Sequence, residues 1–162
     1  MMRWMLRWMM RVALSLLVSF PSWSADFGKG LAAAERGDYV TALREWRPLA
    51  EQGHAKAQFN LGVMYKKGMG VAQDYSQAAK WYRRAAEQGD ADAQIKLGLM
   101  YGLGDGVVED YVTAHMWGNI ARANGYDSGK LLDALEQLMS KGQIARAQQR
   151  ASDCMANQYK NC

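Results

Sequence analysis

The chain has 162 residues, of which 49% are hydrophobic and 22% are charged, a composition that is typical of a globular domain and unlike a disordered chain. It carries 20 Lys and Arg against 16 Asp and Glu. Three of those arginines lie in an N-terminal segment that we expect to be removed, which leaves 17 (20 minus 3) basic residues against 16 acidic ones. Because this balance gives no basic field, a nucleic-acid partner is not expected.

The N-terminal residues have the three parts of a secretory signal. Residues 1–11 carry three arginines and no acid, residues 12–20 are mostly apolar, and small residues follow Pro21. We therefore interpret residues 1–24 as a cleaved signal and expect a periplasmic or secreted protein; an uncleaved anchor or a misread start codon are the alternatives. The apolar stretch is shorter than the roughly 20 residues that span a bilayer, so no stable membrane insertion is expected after cleavage.

Residues 25–54 are predicted to form a compact helical hairpin. The first helix runs from about Phe27 to Arg36, and Gly37 and Asp38 form a tight turn. A second helix follows this turn and ends before a glycine.

The strongest pattern in the chain is an internal repeat. Residues 55–90 and 91–126 align without a gap at an offset of 36 residues (91 minus 55). Self-similarity of this kind predicts a solenoid, in which stacked units bury the apolar faces that one unit cannot cover alone. The identical pairs include Ala55/Ala91, Ala57/Ala93, Leu61/Leu97, Gly62/Gly98, Tyr65/Tyr101, Gly70/Gly106, Val71/Val107, Asp74/Asp110, Tyr75/Tyr111, Ala78/Ala114, Trp81/Trp117 and Gly89/Gly125.

Each repeat is predicted to contain two helices. Apolar residues recur at helical spacing in both halves, and Gly62 and Gly98 fall where a neighbouring helix must come close. Gly68 and Gly70 then break the chain, and Asp74 can cap the second helix by accepting a backbone hydrogen bond.

The repeated pattern Ala-x-Ala-x3-Leu-Gly-x2-Tyr, followed by Gly-x-Gly-Val-x2-Asp-Tyr-x2-Ala, resembles the Sel-1-like repeat of the tetratricopeptide-like helical superfamily. The resemblance implies an all-α fold, a right-handed α-α superhelix of helical hairpins. It covers residues 55–126, and residues 25–54 are similar to a shorter tetratricopeptide-like unit. The second repeat departs from the pattern at Gly102 and at residues 118–120, so the two repeats are not expected to share one ligand chemistry.

Residues 127–162 are predicted to be a C-terminal helical cap. One helix, at residues 130–139, carries its leucines on one side, and a second runs from about 141 to 157 after the capping-box pair Ser140 and Gln143. The apolar residues of these two helices are Leu131, Leu132, Leu135 and Leu138, then Ile144, Ala147 and Ala151.

Cys154 and Cys162 are the two cysteines of the chain. In an oxidising compartment they can form a disulfide once the last helix ends and the tail turns back. The alternative is a free pair on a frayed tail.

No residue pattern indicates catalysis, a metal site or a cofactor. Gly102, Gly104 and Gly106 lie between two predicted helices and not after a strand, so they favour a turn over a phosphate loop. His54 opens the first repeat and His115 is expected to face solvent, and neither has a nucleophile and an acid at a recognisable spacing. The tryptophans of the hairpins are predicted to pack in the core and not to form a stacking platform; these are Trp46, Trp81 and Trp117.

The resemblance places ligand contacts on the first helix of each hairpin, which lines the inner groove in this superfamily. Lysines beside an asparagine would suit an acidic or C-terminal carboxylate peptide, and apolar positions would add contact area. The candidate partner-binding residues are Lys56, Phe59, Asn60, Val63, Lys66, Lys67, Ile95, Lys96 and Leu99.

The resemblance implies a non-catalytic adaptor or scaffold with a protein or peptide as partner, and the N-terminal signal leads us to expect that it acts in the cell envelope. Two alternatives are a β-lactam-binding or hydrolysing enzyme, related to cysteine-rich secreted repeat proteins, and a secreted host-interaction factor. The absence of a cysteine in each repeat speaks against the enzyme.

Overall fold

The computed structural model describes residues 25–160 and residue 162, and this part of the chain contains eight α-helices and no strand. The predicted signal at residues 1–24 lies outside the described residues. The predicted all-α solenoid is confirmed. The helices are α1 (Phe27–Glu35), α2 (Tyr39–Glu51), α3 (Ala55–Lys67), α4 (Tyr75–Ala86), α5 (Ala91–Leu103), α6 (Tyr111–Ala123), α7 (Gly129–Glu136) and α8 (Lys141–Ala156).

The helices pack in chain order, as expected for stacked hairpins. Helices α1 and α2, α3 and α4, and α5 and α6 form the three hairpins, and α2 packs on α3 as α4 packs on α5. At the C-terminal end both α7 and α8 pack on α6. None of the helices between residues 25 and 160 has the length and apolar character needed to cross a bilayer.

Short polar side chains begin nearly all of these helices. Asp74 and Asp110 accept backbone hydrogen bonds at the starts of α4 and α6, and each satisfies a donor that the first turn leaves open. His54 caps α3 through Nδ1 at the position that Asp90 occupies before α5. The predicted capping box of α8 is present, since Ser140 and Gln143 exchange side-chain and backbone hydrogen bonds.

The glycine pairs of the two long loops form turns, as predicted. Gly70 has φ of +68°, and a β-carbon there would lie 2.9 Å from the backbone of Tyr39 at the start of α2. Gly106 makes the same close approach to the backbone of Tyr75 at the start of α4, where a β-carbon would overlap the Tyr75 carbonyl. These glycines let each long loop pack on the preceding hairpin.

A ladder of amide side chains ties neighbouring hairpins together. Gln58 donates from Nε2 to the carbonyl of Ala50 (2.9 Å), and Gln94 donates to Ala86 in the same way (3.1 Å). Both glutamines are buried. Asn124 donates to Gln94 Oε1 at 2.9 Å. Each buried glutamine therefore joins its own hairpin to a carbonyl near the end of the preceding one, at Ala50 of α2 and Ala86 of α4.

The C-terminal cap departs from the prediction at Leu138. The helix predicted for residues 130–139 ends at Glu136, so Leu138 lies in the following turn and 63% of its surface is exposed. Leu132 and Leu135 are buried as predicted, and so are Ala147 and Ala151 of α8.

Candidate partner-binding face

The residues predicted to bind a partner lie on α3 and α5, which are the first helices of the two full repeats. Lys56 is exposed, but its Nζ lies 2.9 Å from Asp90 and 3.7 Å from Asp92. The hydrogen bond to Asp90 raises the pKa of Lys56. This lysine therefore links the two repeats, and it already has two carboxylates as partners.

Two apolar candidates on α3 also contribute to the core. Phe59 and Val63 are half-buried and pack on the cluster that includes Tyr82, with the rings of Phe59 and Tyr82 5.7 Å apart. Asn60 is half-buried on the same helix. These side chains leave only part of their surface to a partner.

Four further lysines lie on α3, α5 and α7: Lys66, Lys67, Lys96 and Lys130. Lys67 and Lys130 are exposed, and Lys66 and Lys96 are half-buried. Within the described part of the chain none of the four is paired with a carboxylate. Unlike Lys56, which is paired with Asp90 and Asp92, these lysines are available to an acidic partner.

Ile95 and Leu99 lie in a cleft between α5 and α7. The cleft has a volume of about 440 Å³, within the range of pockets that hold small ligands. Ile95 is only 4% exposed, whereas Leu103, at the end of the same helix, is 66% exposed. The lining residues are Ile95, Leu99, Gly102 and Leu103 of α5, with Tyr126, Asp127, Ser128, Lys130, Leu131, Ala134, Leu135 and Leu138.

Sequence reasoning missed this cleft because it assigned the leucines of α7 to the cap alone. The signal was present in α5, where Ile95, Leu99 and Leu103 recur every four residues. At the 36-residue offset Leu103 stands where the first repeat has Lys67. The change from lysine to leucine at an exposed position marks an apolar surface that the core does not require.

His115 does not face solvent as the sequence predicted, and that prediction was wrong. The side chain is fully buried between α6 and α7, with Nε2 3.0 Å from Glu136 Oε1 and Nδ1 2.8 Å from Asn119 Nδ2. Its equivalent in the first repeat is Ala79. The larger polar residue fits because α7 brings Glu136 to its Nε2 and Asn119 of α6 lies beside its Nδ1.

His54 and the tryptophans have structural roles. The His54 ring stacks on Phe27 at 4.9 Å, in addition to capping α3. Trp46 and Trp117 are buried, as predicted. Trp81 is half-buried, and the guanidinium of Arg84 lies 4.7 Å from its ring centroid.

Cys154 and Cys162 lie at disulfide-bonding distance, with their Cα atoms 5.3 Å apart. The tail between them turns back onto the array. Tyr159 donates to Asn124 at 2.9 Å, and Arg150 donates to the carbonyl of Cys162 at 3.3 Å. The tail thus joins the amide ladder at its C-terminal end.

The family model of the Sel1 repeat matches residues 55–90 and 91–126. No match among curated proteins was found. Two similar solved structures are a protective antigen present in uropathogenic Escherichia coli strains, which displays an SLR fold, and a Sel1 repeat protein from Oxalobacter formigenes.

The antigen shares 31% identity with this chain over 80% of it and over 30% of its own length, with a TM-score of 0.74. The Oxalobacter protein shares 27% identity over 79% of this chain and 55% of its own, with a TM-score of 0.65. The chain therefore spans less than two thirds of the length of either protein.

Proposed function

We propose that this chain, a Sel1 repeat protein with the all-α solenoid fold of its relatives, is an exported adaptor that binds a segment of another protein. Sel1 repeat proteins are in general protein-interaction adaptors. The proposal goes further, since it assigns a location outside the cytoplasm and a binding surface. That surface consists of the α5–α7 cleft together with the lysines of α3 and α5.

The observation that carries the proposal is the exposure of leucines at the cleft. Leu103 and Leu138 stand on opposite walls with 66% and 63% of their surface in solvent. Burying such side chains would contribute roughly 25 cal/mol for each Å² removed from water. An apolar patch of this kind, rimmed by charged residues, is a common mark of an interaction site.

Two features support export. Residues 1–24 have the order of a secretory signal, and the two cysteines of the chain lie at bonding distance. Disulfides persist in the periplasm and outside the cell and are rare in the cytosol. A periplasmic or secreted location accounts for both.

A non-catalytic role is supported by the surroundings of the two histidines. His54 caps a helix and stacks on Phe27, and His115 is held by Glu136 and Asn119. Neither contact includes a serine or cysteine nucleophile of the kind that acyl-transfer enzymes activate. Turnover of a chromogenic β-lactam by the purified protein would contradict this part of the proposal.

A second candidate function is a secreted host-interaction factor. The similarity that favours it is the one to a protein described as a protective antigen. A secretion assay distinguishes the two locations, because an envelope adaptor stays in the periplasmic fraction and a host-directed factor accumulates in culture supernatant.

The binding role is tested by chemical cross-linking and capture from envelope extract. Three forms are compared: the parent, Leu103→Ser/Leu138→Ser in the cleft, and Val108→Ser as a matched control, since Val108 is 85% exposed and does not line the cleft. We expect one partner to be captured by the parent and the control and lost with the cleft variant. Equal capture by all three forms would move the binding site elsewhere.

A further inference from the structure

We infer that the segment bound in the α5–α7 cleft is an amphipathic helix whose aliphatic stripe is flanked by acidic residues. This inference rests on the proposed function and names the partner's chemistry. It is carried by the spacing of the apolar residues on the two walls and by the charges that lie beside them.

The two walls of the cleft are matched in pattern. On α5, Ile95, Leu99 and Leu103 recur every four residues, and they extend over about 12 Å at 1.5 Å per residue. On the other wall Leu131, Leu135 and Leu138 recur at intervals of four and three. Two such stripes side by side form the groove that an apolar helix face fills in helix-in-groove recognition.

The ligand would complete a packing scheme that the array already uses. Between residues 25 and 160, each helix from α2 to α6 packs on the helix before it and the helix after it. Helix α7 packs on α6 and reaches Gly98 and Gly102 of α5 with Leu131 and Leu135, but it leaves a cleft between itself and α5 unfilled. A third helix lying in this cleft would cover Leu103 and Leu138, which are exposed without it.

The charge beside the cleft is positive. At the 36-residue offset Lys66 and Lys67 occupy on α3 the positions that Gly102 and Leu103 occupy on α5. They therefore lie at the C-terminal end of the neighbouring first helix, as these two cleft residues do on α5. Lys130 lines the cleft itself. Acidic side chains on the flank of the bound helix would meet these lysines.

Two acids of this region, Asp92 and Asp127, are already engaged. Asp92 is within 3.7 Å of Lys56, and Asp127, which lines the cleft, accepts the backbone hydrogen bond of Gly129 at 3.1 Å. Neither carboxylate forms an ion pair with Lys66 or Lys67. The complementary flank is therefore acidic and not basic.

A display library of random 16-residue segments tests this inference. The library is selected on the parent protein and counter-selected on Leu103→Ser/Leu138→Ser, so that only cleft-dependent binders remain. We expect these binders to carry aliphatic residues at intervals of three and four and an excess of Asp and Glu. Their affinity should fall by about tenfold on Lys66→Gln/Lys67→Gln and stay unchanged on Lys80→Gln, an exposed lysine of α4.

The outcomes separate this inference from the proposed function. Cleft-dependent binders with an alternating or proline-rich pattern, or with no acidic excess, would overturn the amphipathic acidic helix and leave the binding role standing. Acidic binders that lose nothing on Lys66→Gln/Lys67→Gln would also overturn it. If the library yields no binder that depends on Leu103 and Leu138, both the inference and the proposed surface are wrong.

Discussion

Gly62 of α3 lies so close to Tyr82 of α4 that a β-carbon on the glycine would stand 2.6 Å from two carbons of the tyrosine ring. This contact sets the distance between the two helices of the first full repeat. The Tyr82 ring is almost fully buried, and burial raises the pKa of its hydroxyl. Neither partner can move away without opening the core.

Replacing Gly62 is therefore expected to destabilise the protein. Gly62→Ala gains up to about 1 kcal/mol in helix propensity, but forcing the ring aside costs about 1–3 kcal/mol, and Gly62→Leu costs more. Gly98→Leu should also be destabilising, since a β-carbon there would stand 3.1 Å from the backbone oxygen of Ala114 and 3.4 Å from Leu131 and Trp117. Urea unfolding measures the difference in free energy.

Gly142 provides the matched control for these variants. It lies in α8 with nothing within 4 Å of the position of a β-carbon. Gly142→Ala should stabilise the protein by about 0.5–1 kcal/mol. If alanine changed the free energy of unfolding equally at Gly62 and Gly142, then Gly62 of α3 would not lie close to Tyr82 of α4 in solution.

The amide ladder makes a second prediction. Gln94 is fully buried and makes hydrogen bonds to Ala86 and Asn124. Gln94→Ala should cost about 1–3 kcal/mol, because it removes both hydrogen bonds and leaves the Asn124 amide without its acceptor. The exposed Gln149→Ala on α8 should change the unfolding free energy by less than about 0.5 kcal/mol. A Gln94 variant as stable as the Gln149 variant would contradict the ladder's role.

The sequence alone predicted the parts of the fold that repeat. The offset of 36 residues placed each hairpin, because identical residues such as Ala57 and Ala93, or Leu61 and Leu97, occupy the same buried positions in both repeats. Where the chain leaves the repeat, no second copy constrains the prediction. The end of α7 and the burial of His115 both depend on how α7 settles on α6, which is a tertiary contact without a local pattern.

The candidate site was predicted only in part for the same reason. Ile95 and Leu99 were identified from their repeat positions, but the wall opposite them belongs to α7. The pairing of Lys56 with Asp90 was also beyond the sequence, since no local pattern brings these two residues together. Asp90 is both the N-terminal cap of α5 and the ion-pair partner of Lys56.

Reducing the disulfide should lower stability. In the chain-entropy account, closing the short loop between Cys154 and Cys162 contributes about 2.5 kcal/mol. Cys154→Ser/Cys162→Ser should melt at a lower temperature and lose the contact of Tyr159 with Asn124. Reductant should lower the melting temperature of the parent and leave that of the variant unchanged. A parent that melts identically with and without reductant would contradict the pairing.

Acid should destabilise the protein through its helix caps. Backbone and side-chain hydrogen bonds from Gln77 and Ser76 lower the pKa of Asp74 below 3.8, and Thr41 has the same effect on Asp38. A lowered pKa in the folded state means that the stabilisation is present above about pH 4 and is lost as the pH falls towards the folded pKa.

Melting temperatures measured from pH 7 to pH 2.5 test this expectation. Asp38→Asn/Asp74→Asn keeps two good caps but removes two titrating groups. Its melting temperature should fall less steeply below pH 4 than that of the parent. An identical acid slope in the two proteins would show that these caps do not contribute to the pH dependence.

Amide hydrogen exchange tests most directly whether a partner binds to α3 and α5, the first helices of the two full repeats, and to α7. The purified protein is compared alone and with a segment selected for cleft-dependent binding. We predict slower exchange in α5 and α7, with a smaller effect at the end of α3, and little change in α4 and α6. Protection confined to α4 and α6, or no protection at all, would contradict binding at the α5–α7 cleft.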